Sequence, residues 1–224
     1  MIDYTLTRSK RKTVAIYVRN GEIEIRAPHK MPKRDINKFI MSKEKWITDK
    51  LAQSSEHQEK RKNFTLAYGD TILYRGKDYP IAAKEGNRIG FNDAVFFMPP
   101  DLDSEQIKAA CVQIYRLLAK RDLTDKTLDI AKQMMVKPTA IKINSAKKRW
   151  GSCSAKKNIN FSWRLIMADD AVIDYVVTHE LAHLIEMNHS QRFWAIVGNV
   201  LPDYKQRQKR LKELQLRLSQ EDWE

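Results

Sequence analysis

Residues 179–189 read HELAHLIEMNH, which contains the pattern HExxH followed six positions later by a third histidine. On an α-helix, residues i and i+4 lie on one face, so the imidazoles of His179 and His183 can bind one metal ion. Glu180 lies beside them, where it can act as a base. Zinc prefers nitrogen ligands in tetrahedral geometry, and a catalytic zinc site leaves its fourth position to water. This segment therefore predicts a helix that carries a catalytic metal site.

The residues around this motif indicate that the helix is buried. Asp169 or Asp170 can cap its start, and apolar residues cover most of its circumference from Val172 to Ile185. A buried helix must satisfy its polar side chains, because an unpaired buried charge is unfavourable. Coordination of a metal ion satisfies the two histidines.

His189 is the predicted third ligand, and it requires the helix to end early. On an unbroken helix it would lie about 15 Å along the axis from His179. We therefore expect the helix to end near Glu186, with Asn188 in the left-handed conformation that turns the chain back. The alternative third ligands are Asp203, Glu213 and Cys153.

The segment RWGSCS at residues 149–154 and the segment DYVVTHELAHLIEMNHSQRFW at residues 174–194 carry a family resemblance. Together with matches near the N-terminus, they resemble the YgjP-like family of predicted metal-dependent hydrolases, relatives of the SprT-like zinc peptidases, over nearly the whole chain. Two departures fall in loops: Lys157 stands at a turn position where we expect glycine, and Ala168 with Asp169 replaces a stretch that often contains proline.

The resemblance implies the functional residues of the site. It implies that His179, His183 and His189 bind the metal and that Glu180 is catalytic. It leaves the substrate open, since some members of the family carry a peptidase label and others a nucleotide pyrophosphatase label.

Composition is that of a globular protein. Among 224 residues, 31% are charged and 42% are hydrophobic. The first residues lack the apolar core of a signal peptide, and no stretch reaches the length of a membrane span. The two cysteines, Cys111 and Cys153, make no disulfide framework. We therefore expect a cytoplasmic protein.

The order of predicted elements indicates an α+β fold. Alternating residues around Asn20 and Gly21 predict a hairpin, and one helix follows from Pro32 to the polar run at residues 53–63. Short strands then extend to Met98. Residues 1–100 are thus predicted to form a β-rich N-terminal lobe with one helix.

The remaining residues, 101–224, are predicted to form a zincin-like catalytic lobe, with the HExxH helix beside a small sheet. A long helix is expected over residues 104–135, and two strands at residues 139–144 and 159–163 flank the RWGSC loop. After the HExxH helix, a short helix is predicted at residues 191–200, followed by a terminal helix.

Positive charge is the second functional indication. The formal net charge is +13, and residues 1–63 contain 16 lysines and arginines against 8 aspartates and glutamates. Such an excess favours polyanionic partners, including nucleic acid. A local cluster at Lys147, Lys148 and Arg149 precedes the predicted metal site, and its lysines are candidates to bind substrate phosphate or acidic side chains.

These observations predict a zinc-dependent hydrolase with one Zn²⁺ per chain, although other divalent metals suit the same ligands. We expect a metallopeptidase that acts on peptide or protein, in which Glu180 takes a proton from metal-activated water. Arg149 and Tyr204 are candidates to stabilise the oxyanion. A nucleoside triphosphate (UTP-type) pyrophosphatase is the alternative, and a nucleic-acid-associated binding module with a structural zinc is the weaker one.

Overall fold

Alternating apolar residues near the start of the chain pair into a three-stranded sheet in the computed structural model, which describes residues 2–19 and 21–223. Its strands are β1 (Thr5–Ser9), β2 (Ala15–Arg19) and β3 (Glu22–Pro28). The central strand β3 pairs parallel with β1 and antiparallel with β2. The predicted β2–β3 hairpin is confirmed, and Gly21 has the positive φ, +81°, that its turn requires. Asn20 lies outside the described residues.

Two helices cover this sheet where the sequence indicated one. They are α1 (Lys33–Ser42) and α2 (Glu44–Lys62), with a break at Lys43. Helix α2 continues through the polar run, because the Glu56–Lys60 pair and the three basic residues of its last turn support a solvated helix. The core of this unit consists of Ile23, Ile25, Ala27, Ile36, Ile40 and Ile47.

Internal contacts divide the chain into two compact units. The first contains the residues up to Phe64 together with Ser219–Asp222, and the second contains Thr65–Leu218 with Trp223. Residues 65–100 thus group with the residues that follow them, and the predicted boundary at residues 100 and 101 falls inside the second unit. The buried residues Leu73 and Phe96 explain this grouping, since they pack on Tyr115 of the following helix.

The second unit begins with a four-stranded sheet and a long helix. The strands, in the order β4-β5-β7-β6, are β4 (Thr71–Tyr74), β5 (Lys77–Ala83), β6 (Gly90–Phe91) and β7 (Phe96–Met98). Helix α3 (Ser104–Gln133) follows, close to its predicted bounds. A capping box fixes its start: the Asp103 side chain accepts from the Gln106 amide, and the Gln106 side chain accepts from the Asp103 amide.

A second, three-stranded sheet leads to the HExxH segment. It has the order β8-β10-β9 and consists of β8 (Ala140–Asn144), β9 (Gly151–Cys153) and β10 (Asn158–Ser162). The predicted strands β8 and β10 are confirmed, but the RWGSC stretch is not only a loop. Its last three residues form β9, because they pair antiparallel with Ile159, Asn160 and Phe161.

A 3-10 helix (Trp163–Met167) connects this sheet to α4 (Asp170–Ala182), and α5 (Gln191–Val200) and α6 (Tyr204–Leu218) complete the unit. Trp163 is fully buried and stacks on Tyr115 at 5.5 Å, while Trp223 packs edge-on against both rings. The mixed α+β class is therefore confirmed. None of the described helices combines the length and the apolar character needed to cross a bilayer.

Candidate metal centre

The first two histidines lie at the end of helix α4, with His179 in its last turn and His183 as its C-cap residue. The start of α4 is capped by Asp169, whose side chain accepts a hydrogen bond from the Val172 amide at 3.0 Å. Most residues of α4 are buried, including Glu180, while His179 is half-buried. The rings of His179 and His183 lie 5.0 Å apart, centroid to centroid.

Helix α4 ends at Ala182, four residues before Glu186, and the turn that follows extends to Glu186, whose amide donates to the Ala182 carbonyl at 2.9 Å. The amides of Leu184 and Ile185 donate to carbonyls three residues back, so the last turn tightens and releases the helix. The prediction that Asn188 adopts the left-handed conformation is wrong, since Asn188 is not among the described residues with positive φ. Its backbone amide instead donates to the Glu186 carboxylate, at 3.3 Å.

This turn brings His189 back to the other two histidines. The Nε2 atoms of His189 and His179 lie 3.0 Å apart, and the ring of His189 lies 4.7 Å from that of His183. One nitrogen from each of the three rings lies within 4.8 Å of the others. Imidazole nitrogens in this arrangement suit zinc, so the three residues could hold a metal ion.

The protonation of these rings fits metal binding. Burial, and then the neighbouring histidines, lower the pKa of His179 to about 4, so its imidazole is neutral and keeps a lone pair. Burial also lowers the pKa of His183. The Nδ1 of His183 lies 3.2 Å from the Glu186 carbonyl, which can only accept, so Nδ1 carries the proton and Nε2 is the free ligand atom.

Glu180 lies beside the histidines and under the edge strand β9. Its side chain is buried, with 6% of the residue exposed. Burial raises the pKa of its carboxyl to about 7, and the positive charge of Arg149 opposes that shift. A carboxyl group in this range can both accept and return a proton near neutral pH.

Gly151 makes room for that carboxyl group, a contact that sequence reasoning missed. A Cβ atom at Gly151 would lie 2.6 Å from both Cγ and Oε1 of Glu180. Real Cβ atoms do not approach other atoms so closely, so any larger residue at this position would require the Glu180 side chain or strand β9 to shift. The one indication in the sequence that Gly151 is important was its position in the RWGSCS segment, which carries the family resemblance.

The predicted substrate and oxyanion contacts lie in the β8–β9 loop and at the start of α6. Arg149 is exposed and close enough to Glu180 to influence its pKa. Tyr204 begins α6, and its ring stacks on Trp194 at 5.4 Å. Lys147 and Lys148 are exposed in the loop between β8 and β9, at the approach to Arg149.

The alternative third ligands do not join the histidine group. Asp203 is held by Arg207, with both of its oxygens within 3.0 Å of Nε. The Cys153 thiol donates to the Ser154 carbonyl, and Glu213 lines a separate cavity of about 260 Å³. Among the described residues, the group that could hold a metal contains the three histidines alone.

An aromatic shell surrounds the histidines, and the sequence analysis assigned it no role. The Phe193 ring lies between 4.5 and 4.9 Å from all three imidazole rings. Trp194 lies 5.8 Å from both His179 and His189. Both aromatic residues come from the start of α5, which the Ser190 side chain caps. The shell limits the rotation of the imidazoles and keeps water away from one side of the site.

The family model described as "YgjP-like, metallopeptidase domain" matches residues 12–214. The chain belongs to the YgjP-like family. As a member of this metallopeptidase family, it is a metal-dependent hydrolase, and the resemblance found in its sequence is confirmed.

Two solved structures are similar over a shorter region. The metallopeptidase zymogen abylysin of Pyrococcus abyssi is 23% identical with a TM-score of 0.38, and the match covers 41% of this chain and 92% of that one. The metallopeptidase zymogen jannalysin of Methanocaldococcus jannaschii is 22% identical with a TM-score of 0.35, and the match covers 45% and 96%. None of the curated proteins matches the chain. The family assignment rests on the family model.

Proposed function

We propose that this YgjP-like chain is a zinc-dependent peptidase of zincin type, with His179, His183 and His189 as metal ligands and Glu180 as general base. The observation that carries the proposal is the convergence of the three imidazoles next to a buried carboxylate. Such an arrangement is built for activation of water, because a binding site without catalysis has no need of a buried base beside its metal.

His179, His183 and His189 would hold the zinc ion, and the described group contains no fourth protein ligand. When bound, the ion would supply a water of lowered pKa and a Lewis acid for a carbonyl group. A structural zinc normally has four protein ligands, and the Cys153 thiol, a predicted alternative ligand, is not in the histidine group and donates to the Ser154 carbonyl. The ligand set therefore supports catalysis over a structural role.

Glu180 performs the proton transfers in the proposed reaction. Its carboxylate accepts the proton of the attacking water and returns it to the amine that leaves when the peptide bond breaks. Burial under β9 limits the conformations of the carboxylate, and Arg149 favours its ionised form. Arg149 is also the better placed candidate to stabilise the oxyanion, since its charge already acts on Glu180.

Glu180→Gln tests the proposal, because glutamine keeps the shape of the side chain but cannot accept the proton. Wild type and variant are incubated with a mixture of peptides from an unfolded protein, and the new chain termini are counted by mass spectrometry. The zinc content of both proteins is measured in parallel. We expect the variant to retain zinc and to lose at least about 100-fold in rate. Equal rates would exclude Glu180 as the base.

The same preparations are incubated with nucleoside triphosphates to test the alternative reaction. Pyrophosphate release that depends on Glu180, without any peptide cleavage, would replace the peptidase with a pyrophosphatase. The cluster of Lys147 and Lys148 would then be the candidate phosphate contact, since both are exposed at the approach to Arg149.

A further inference from the structure

Two loops that are distant in sequence lie at the same end of the N-terminal sheet. Strand β1 ends and β2 begins at this end, as the pairs Ser9↔Pro28 and Ala15↔Arg26 show. The β1–β2 loop and the β3–α1 loop therefore leave the sheet side by side. Neighbouring strands lie about 5 Å apart, so the two loops share one small surface.

This surface is strongly basic, and we call it the basic end. It consists of Lys10, Arg11, Lys12, Lys30, Lys33 and Arg34. All except Arg11 are exposed, and none of the six has an ion-pair partner among the described residues. No acidic residue occurs in the sequence between Asp3 and Glu22, or between Glu24 and Asp35. Of the two carboxylates of β3, Glu24 is already paired with Arg26 at 2.7 Å, and Glu22 lies at the other end of the strand, opposite Arg19.

The basic end is held in a fixed shape by Arg8. Its Nη1 donates to the carbonyl oxygens of Pro28, His29 and Met31, at 3.0, 2.9 and 2.8 Å. These bonds fasten the β3–α1 loop to β1, so the lysines on both loops keep their spacing without a ligand. A preorganised group of like charges repels itself, and a bound polyanion relieves that repulsion.

The chemistry of this surface fits the nucleic-acid backbone and offers little for reading bases. Tyr17, the aromatic residue of β2, is covered by the guanidinium groups of Arg19 and Arg26, at 5.1 and 4.8 Å from the ring centroid. It is therefore not a free platform for base stacking. Binding through lysine and arginine alone is electrostatic and independent of base sequence.

A membrane surface is the less suitable partner. Peripheral membrane sites combine basic side chains with inserted apolar ones. Among the described residues of this unit, the large apolar residues that are exposed are Met41 in α1 and Trp46 in α2, and neither belongs to the basic end. Met41 lies eight residues along α1 from Lys33, a distance of about 12 Å. The six residues that define the basic end are all charged, so they include no apolar anchor.

We propose that the basic end of the N-terminal unit binds the phosphate backbone of nucleic acid without base preference. The surface is independent of the metal site, so this activity goes beyond the proposed peptidase. It would retain the enzyme on nucleic acid while the second unit acts on its substrate.

The test measures binding of the full chain to a labelled 20-nucleotide DNA, single-stranded and duplex, by fluorescence anisotropy between 50 and 200 mM NaCl. Lys10→Gln/Lys12→Gln/Lys30→Gln removes three charges from the basic end. Lys45→Gln/Lys50→Gln/Lys62→Gln removes three exposed charges from α2 of the same unit and is the matched control. Circular dichroism and melting temperature verify that both variants fold.

Wild type is expected to bind with a dissociation constant of about 10⁻⁴ to 10⁻⁶ M at physiological salt. The basic-end variant should lose at least about tenfold in affinity, and its slope of log K against log salt should fall by about 2 to 3, since each phosphate contact contributes roughly 0.7 to 0.9. The α2 variant and Glu180→Gln should bind nearly as wild type. Glu180→Gln separates this result from the peptidase proposal.

Three results would overturn the proposal. Wild type could show no binding at 50 mM NaCl, or the two triple variants could lose affinity equally, which would make net charge the only cause. The basic-end variant could also lose binding to phosphatidylserine vesicles while its binding to DNA stays unchanged, which would assign the surface to membranes.

Discussion

Gly151 and Glu180 are in contact, although 29 residues separate them in the sequence: a methyl group at Gly151 would come within 2.6 Å of the Glu180 carboxylate oxygen Oε1. Strand β9 is held in this position by its pairing with β10, so it cannot easily move away. The backbone of Gly151 therefore fixes where the carboxyl group of Glu180 lies, and it acts as a positioning residue for the proposed base.

Gly151→Ala should displace the Glu180 carboxylate and lower kcat by at least about tenfold, because small displacements of a catalytic group have large effects on rate. Zinc content should not change, since the atoms nearest to the new methyl group belong to Glu180 and not to a proposed metal ligand. Gly198→Ala is the matched control: its new methyl group would lie 3.6 Å from the nearest atom, in ordinary contact with Tyr204. Unchanged turnover in Gly151→Ala would contradict the positioning role.

The part of the site that local geometry determines could be predicted from the sequence. His179 and His183 lie one helical turn apart, and the i, i+4 spacing alone places them on one face. The approach of His189 to the other two histidines was also predicted, but the structure of the turn that brings it there was not. The turn is made by tightened hydrogen bonds after Ala182, and no side chain in the sequence signals such bonds.

Long-range contacts account for what the sequence analysis missed. The approach of Gly151 to Glu180 depends on the register of β9 on β10, which no periodicity in either segment reveals. Residues 65–100 carry short, weak strand patterns, so their burial against Tyr115 of α3 could not be seen before the fold was known. The strand at Gly151–Cys153 was read as a loop for the same reason.

His189→Ala should weaken zinc binding, because it removes the proposed ligand that the turn after α4 brings to the other two histidines. We expect elemental analysis to find near one zinc per wild-type chain and substantially less in the variant. Added zinc should also raise the melting temperature of wild type more, since a ligand at 100 times its dissociation constant adds about 2.7 kcal/mol to the unfolding free energy. His29→Ala, at an exposed histidine of the first unit, is the control. Full zinc content in His189→Ala would move the third ligand to another residue.

Cys111 should resist thiol reagents until the protein unfolds. The residue is fully buried in α3, and burial raises the pKa of its thiol to about 12, so thiolate is nearly absent at pH 8. In Cys153→Ser, Cys111 is the remaining thiol. A colorimetric disulfide reagent should detect no reactive thiol in the native state of this variant and one reactive thiol per chain in denaturant. Rapid reaction in the native state would show that α3 opens far more readily than its packing indicates.

Lys157→Gly should stabilise the β9–β10 turn, which positions Gly151. Lys157 has a φ of 59°, in the left-handed region, as expected of a turn position where glycine is usual. That conformation costs a residue with a side chain roughly 1–2 kcal/mol, and glycine adopts it freely. Part of the gain is offset by the greater freedom of glycine in the unfolded chain, so we expect the unfolding free energy to rise by about 0.5–1 kcal/mol.

Chemical denaturation of wild type, Lys157→Gly and Lys156→Gly measures this effect. The two lysines are neighbours in one exposed turn, and each substitution removes one positive charge, so electrostatic effects are matched. Lys156 is not among the described residues with positive φ, so glycine there should lower the unfolding free energy by about 0.5–1 kcal/mol. Opposite signs for the two variants would assign the difference to the conformation of the backbone at Lys157. A loss of stability in both variants would show that the Lys157 side chain stabilises the folded state by more than the strain of its positive φ destabilises it.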